Sequence, residues 1–189
     1  FLIVQLPGFG PYKTQPAPSD WARQREVERH VAEVTPRTGL AVTIDVGSRR
    51  TIHPTDKQDV GRRLALLARA LIYRQPVVGV SPTPVSAWRA GRQVIVRFDA
   101  HGSSGLETEE WSRPIGFQLC DRAKHCAFAD AVQHGTDVAV DASSAPEAAT
   151  VRYCWADSPI CNLYDRDGLP AVPFELPIGH AAPRSATAR

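Results

Sequence analysis

The chain has 189 residues, 43% of them hydrophobic and 22% charged, an ordinary globular composition that excludes a wholly disordered chain and suits one large domain or two small ones. Lys and Arg (22) nearly balance Asp and Glu (20), for a formal charge of +2, so charge gives no reason to expect nucleic acid or an anionic membrane as partner. No apolar run approaches the roughly 20 residues that span a bilayer, and the opening FLIVQLPGFG lacks the basic flank and small-residue cleavage site of a signal peptide, so the chain reads as soluble.

LIVQL, residues 2 to 6, is a short apolar run closed by Pro7 and Gly8, the pattern of a strand buried on both faces. After a Pro-rich loop, Ser19 and Asp20 can cap a helix that begins near Trp21 and carries Val27, Val31 and Val34 as its apolar stripe. Pro36 and Gly39 end that helix. LAVTIDV, residues 40 to 46, is a second nearly continuous apolar and β-branched run, so the order is strand, helix, strand, with a parallel pair implied. Pro54, at the first helical position, then opens a helix to about Tyr73 with Val60, Leu64, Leu67 and Leu71 on one face.

From Pro76 the pattern changes. Short alternating runs (RQVIVRF, PIGFQLC, TDVAVDA, TVRYCWAD) separated by turn-rich stretches predict an antiparallel β-sandwich of about 100 residues. The domain division is therefore 1–76, α/β; 77–178, all-β sandwich; and 179–189, GHAAPRSATAR, a disordered tail. Two parallel strands and two helices cannot cover both faces of a sheet. Residues 1–76 are accordingly expected to be the C-terminal part of a larger three-layer α/β domain and not to fold alone, whereas 77–178 should.

The cysteines form two close pairs, Cys120 with Cys126 and Cys154 with Cys161. Neither pair has CxxC spacing and no histidines join them at zinc-finger distances, so local disulfides are favoured over a metal site or free thiols. Four cysteines permit three connectivities, and the local one is expected because each pair spans a short segment beside a strand. Disulfides imply the periplasm or the cell exterior. The four tryptophans, including Trp111 and Trp155, are read as core or edge packing rather than a sugar-stacking platform. His30 reads as solvated, His101, His125 and His134 as turn residues, and no metal or other cofactor is expected.

His53 lies beyond the carboxyl end of a parallel strand, where open sheets bind ligands, and before Pro54 it is expected at a helix N-terminus. Four stretches, SDWAxxRE (19 to 26), AVTIDVG (41 to 47), IHPTDKQDVGRRLALLA (52 to 68) and VRYCWADSPICNLYDRDGLPAVPF (151 to 174), resemble in order the C-terminal portion of the sialate O-acetylesterases, carbohydrate esterases of the SGNH hydrolase superfamily. The resemblance runs from Phe1 to about Phe174. It implies that His53 is the general base of a serine esterase removing O-acetyl groups from sugars such as sialic acid or plant glycans. Imidazole suits that work because its pKa lets it take the serine proton and return it to the leaving alkoxide.

Two departures stand against this. Where the family often reads GDPNDIHP the chain reads GSRRTIHP, so Ser48 and Thr51 occupy positions that commonly hold aspartates, and the superfamily acid would fall on Arg50, which cannot accept an imidazole N–H. A backbone carbonyl, or an acid from Asp45 or from elsewhere, are the candidates left to orient the ring, and an inactive or engineered variant is the third alternative. The chain also has no nucleophile motif, HGSSG at 101 to 105 reading as a flexible turn. The serine and oxyanion hole are expected from an N-terminal segment or second chain of the same protein. The alternative is a non-catalytic glycan-binding or structural sandwich with a degenerate hydrolase remnant.

Overall fold

A computed structural model describes residues 1–180. The expected tail lies outside them from position 181, and Gly179 still belongs to a strand. The architecture is mostly β. Strands β1 (Leu2–Val4) and β2 (Gly39–Ala41) pair in parallel, Leu2 opposite Gly39 and Val4 opposite Ala41, and helices α1 (Asp20–Val34) and α2 (Lys57–Leu67) pack on them. A π-helical turn, Ala68–Ile72, extends α2. The parallel component among the described residues is thus two strands with two helices, not a three-layer sheet.

The strands after position 80 are β3 (Thr83–Ala90), β4 (Gln93–Asp99), β5 (Leu106–Thr108), β6 (Phe117–Cys120), β7 (Cys126–Phe128), β8 (Ala131–His134), β9 (Asp137–Asp141), β10 (Thr150–Tyr153), β11 (Leu163–Asp165) and β12 (Phe174–Gly179). Eight of them form one continuous sheet in the order β7-β6-β10-β12-β3-β4-β9-β8, and β11 pairs with β5 separately. The expected purely antiparallel sandwich is corrected here. Two antiparallel halves are joined by a short parallel contact, with Ile178 of β12 opposite Ala87 of β3. β12 achieves this by pairing with β10 over Phe174–Pro177 and only then meeting β3.

The inner faces of both halves close on one core. Phe98 from β4 meets Phe174 edge-on at 5.8 Å, and Phe117 and Tyr153 stack against each other at 4.8 Å. Such offset and edge-on contacts add to the area these rings bury. Leu40, Val42 and Ile44, beside and beyond β2, belong to the same cluster of buried residues, so the core runs unbroken across the chain position that divides the α/β segment from the strands.

Helix α1 is capped as its sequence predicts, Ser19 Oγ accepting the Ala22 N–H at 2.9 Å. Its buried face is another matter. Val27, Val31 and Val34 are exposed, and the residues turned inward are Ala22, Arg25 and Arg29. Arg25, with none of its surface exposed, donates to the carbonyls of Leu6 (2.8 Å), Pro7 (3.3 Å), Ala156 (2.8 Å) and Asp157 (2.7 Å). Ser19 Oγ also donates to Asp157 Oδ1 at 2.5 Å, and Trp21 Nε1 donates to the Pro7 carbonyl at 2.9 Å. One helical face therefore ties the loop after β1 to the loop after β10.

That second loop is closed by Cys154–Cys161, and Cys120–Cys126 links β6 to β7, both as expected. Burial pushes the Arg25 guanidinium down to about 10, with Glu28 and Asp157 opposing the shift, so it remains charged at neutral pH. Replacing Arg25 by Met keeps the bulk but removes hydrogen bonds to four carbonyls and leaves those of Leu6 and Ala156 without a donor, Trp21 and Phe9 still serving Pro7 and Asp157. The expected cost in urea unfolding is about 3 kcal/mol or more, against less than about 0.5 kcal/mol for the exposed Val31→Lys.

Candidate functional site

Because β1 and β2 are parallel, the loops that follow them leave from the same edge of the sheet. Contacts that only a glycine permits hold these loops together: a Cβ on Gly47 would lie 2.2 Å from the Gly8 carbonyl oxygen. Phe9 and Ser48 then form a parallel bridge, and the Thr43 hydroxyl donates to the Gln5 carbonyl. LAVTIDV is strand only as far as Ala41. From there it turns at Ile44 and Asp45, although Val42, Thr43 and Ile44 stay buried.

His53 stands in this loop cluster with its residue exposed and Pro54 beneath it buried. The helix-entry expectation is corrected: α2 begins at Lys57, and its cap is Asp56, whose carboxylate accepts the Asp59 N–H at 3.0 Å. Pro54 therefore precedes the helix, and His53 lies outside it, before the cap. The histidine's position is set instead by its own N–H, which donates to Thr51 Oγ1 at 3.1 Å. Arg50 N–H donates to Ser48 Oγ at 3.2 Å in the same i to i+2 pattern. Aspartate makes the same turn through its carboxylate. Ser48 and Thr51 thus make, without a charge, the turn bonds that aspartates could make at these positions.

Among the described residues the His53 imidazole makes no hydrogen bond, whether to a serine hydroxyl or to a carboxylate. Arg50 is exposed. Asp45, the other acid weighed from the sequence, is committed elsewhere, its two oxygens receiving Nη1 and Nη2 of Arg63 at 2.6 Å each. Arg63 Nη1 also donates to the Val42 carbonyl at 2.9 Å, and the Tyr164 hydroxyl lies 3.4 Å from Asp45 Oδ2. Burial alone would lower the Arg63 pKa, but the hydrogen bonds and charge of Asp45 outweigh it and hold the group above its ordinary value. Burial, with Asp45 adding to it, pushes the Tyr164 hydroxyl up, so it stays protonated. This fork anchors α2 to the segment after β2.

Beside the same loops lies a cavity of 310 Å³ lined by Tyr12, Asp45, Glu109, Ser158 and Tyr164 among others. Burial, then the charges of Asp45, Glu107 and Glu110, raise the Glu109 carboxyl above its usual range. HGSSG joins β4 to β5 as a turn, with Gly102 and Gly105 at φ of 93° and 141°, and carries no nucleophile geometry. His30 is exposed, His101 pairs with Thr83 Oγ1 at 3.0 Å, and His125 with Asp121 at 3.0 Å. No three metal-ligating side chains cluster among the described residues.

Sequence reading missed Arg25 and Arg63. For Arg25 the signal was present, since Ala22, Arg25, Arg29 and Ala32 recur at helical spacing, but two arginines in such a stripe are read as solvent-facing.

The chain resembles the crystal structure of a carbohydrate acetylesterase from Xanthomonas citri, with 36% identity and a TM-score of 0.84 over 93% of this chain. It spans 40% of that protein's length. No family model matches the sequence, and no curated protein matches it. The identity and the shared structure make this chain similar to part of a carbohydrate esterase.

Two outcomes follow from the site. Asp45→Asn leaves the buried Arg63 without its counter-charge, and urea unfolding should register a loss of about 3 kcal/mol. Glu109 works in the opposite sense. A carboxyl whose folded pKa is raised favours the folded state below its unfolded pKa and loses that advantage as pH rises through the folded one. Glu109→Gln should therefore raise the melting temperature at about pH 7 and leave it unchanged at about pH 3.

Proposed function

We propose that this chain is the histidine-bearing part of a serine carbohydrate O-acetylesterase of the SGNH hydrolase kind, acting on O-acetyl esters of sialic acid or plant glycans in the periplasm or outside the cell. The observation that carries the reading is the 36% identity to a carbohydrate acetylesterase over 93% of the chain. Three features agree with it. His53 is exposed beyond the carboxyl ends of two parallel strands, and two disulfides suit an oxidising compartment. The third is the surface left by the small sheet: the far edge of β1 pairs with no described strand, while Phe1, Val4, Val27, Val31 and Val34 are exposed. An N-terminal segment or second chain of the same protein would extend the sheet there, bury these side chains and carry the serine and oxyanion hole.

In the proposed reaction, His53 takes the proton from the serine Oγ as that oxygen attacks the acetyl carbonyl. The tetrahedral intermediate collapses with cleavage of the ester C–O bond, and the imidazolium returns its proton to the sugar alkoxide. Water, activated by the same ring, then releases acetate from the acetyl-serine. Asp45 is held by Arg63 and Arg50 is a cation, so the acceptor for the other ring N–H is a carboxylate or carbonyl of the completing segment.

With the completing segment present, His53→Ala should lower hydrolysis of an acetylated sugar by about three orders of magnitude or more. Stability should be nearly unchanged, because the ring makes no contact that the fold uses. Equal hydrolysis by wild type and His53→Ala would overturn the reading.

A further inference from the structure

A second concave surface lies against the β-sheet, bordered by Lys13 of the loop after β1 and sharing Pro159 and Ile160 with the cavity beside Asp45. It is a cavity of 440 Å³ beside β6 and the end of β7. Trp111, expected from the sequence to be packing, is 58% exposed on its rim, and Phe128 is 47% exposed. Trp88 and Trp155, by contrast, are buried. Two large aromatic side chains left in water at one cavity are unlike scattered surface apolar residues, which need no explanation.

The wall carries a second, independent feature. Gln118 is only 2% exposed. Its Nε2 donates to the Trp155 carbonyl at 3.0 Å, which fixes the amide, and its Oε1 is buried with no donor. Buried acceptors are almost always satisfied, so this oxygen, on a residue that lines the cavity, is an acceptor with no donor among the described residues. The rim adds Asp130 and Asp141, acceptors whose charge disfavours anionic ligands, with Lys13 the single cation opposite them.

From this combination we infer that the cavity is a non-catalytic binding site for a neutral oligosaccharide. Pyranose rings present apolar C–H faces that stack on aromatic side chains, and hydroxyls at their edges that donate to carboxamide and carboxylate oxygens. A lipid chain would use the aromatics but not the three acceptors. The inference stands apart from the catalytic role proposed for His53, since it concerns binding and not hydrolysis.

The test is titration of the 189-residue chain with cellohexaose, xylohexaose and sialyllactose, followed by tryptophan fluorescence and calorimetry. At least one neutral hexasaccharide should bind saturably with Kd below about 10 mM, and sialyllactose should not. Trp111→Ala should weaken that binding about tenfold or more, with an unchanged melting temperature because the side chain is exposed. Gln118→Leu should weaken it several-fold while circular dichroism confirms the fold. Absence of saturable binding by both neutral sugars, preferential binding of sialyllactose, or equal affinity of wild type and Trp111→Ala would overturn the inference. Loss on Trp111→Ala with none on Gln118→Leu would overturn the role given to Gln118. His53→Ala should bind like wild type, which separates this result from the fate of the esterase reading.

Discussion

A single buried guanidinium holds the two unlike parts of this molecule in register. Arg25 donates to two carbonyls of the loop after β1 and two of the disulfide-closed loop after β10, and for Leu6 and Ala156 it is the donor that keeps the carbonyl from being left unpaired. No apolar side chain could do this, because hydrophobic packing has no direction while a planar fork of five N–H donors does. Desolvating such a charge is costly, and the four acceptors with the nearby Glu28 and Asp157 offset that cost. The loop edge that carries His53 inherits its position from this contact, since Gly8 and Phe9 follow directly on the carbonyls that Arg25 holds, and they in turn hold Gly47 and Ser48.

What could be read from the sequence was whatever depended on local pattern. Ser19 as a cap, the alternating runs that became β4, β9 and β10, and the two short disulfide spans are all decided within a few residues. Segments whose strand character depends on distant partners could not be read in this way. β3 and β12 contain Pro84 and Pro177, which lower any strand assignment. Yet Pro84 sits where the β3–β4 register slips, and Pro177 where β12 passes from one half of the sheet to the other, two places where a missing N–H costs little. The valine stripe of α1 failed for a related reason: its inward face is chosen by polar acceptors on loops more than a hundred residues away, as with Ala156 and Asp157.

The site divides in the same manner. The histidine could be found, because its motif is contiguous. Its surroundings could not, because the helix start depends on Asp56 competing successfully with Pro54 as the boundary, and the fate of Asp45 depends on an arginine eighteen residues later. The apparent loss of two aspartates from the motif reads differently once the hydrogen bonds are known. Ser48 and Thr51 each accept an N–H two residues on, a bond that an aspartate carboxylate could also make, so these positions hold the turn without a charge.

The resembling segments are not equal in what they imply. SDWAxxRE and CWADSPIC are occupied with scaffolding, through Ser19, Trp21, Arg25, Asp157 and the disulfide, so the fold alone accounts for those residues. The run after His53 is partly so, since Arg63 and Leu67 are buried. His53 itself differs. Its backbone is held by Thr51, a bond that any residue but proline could make at position 53, and the residue is exposed with no hydrogen bond from its ring among the described residues. Structural necessity explains the proline beside it, which is buried, but not the ring. A side chain that the scaffold positions without using is free to be chosen for its chemistry, and the proton transfer proposed for His53 rests on that freedom.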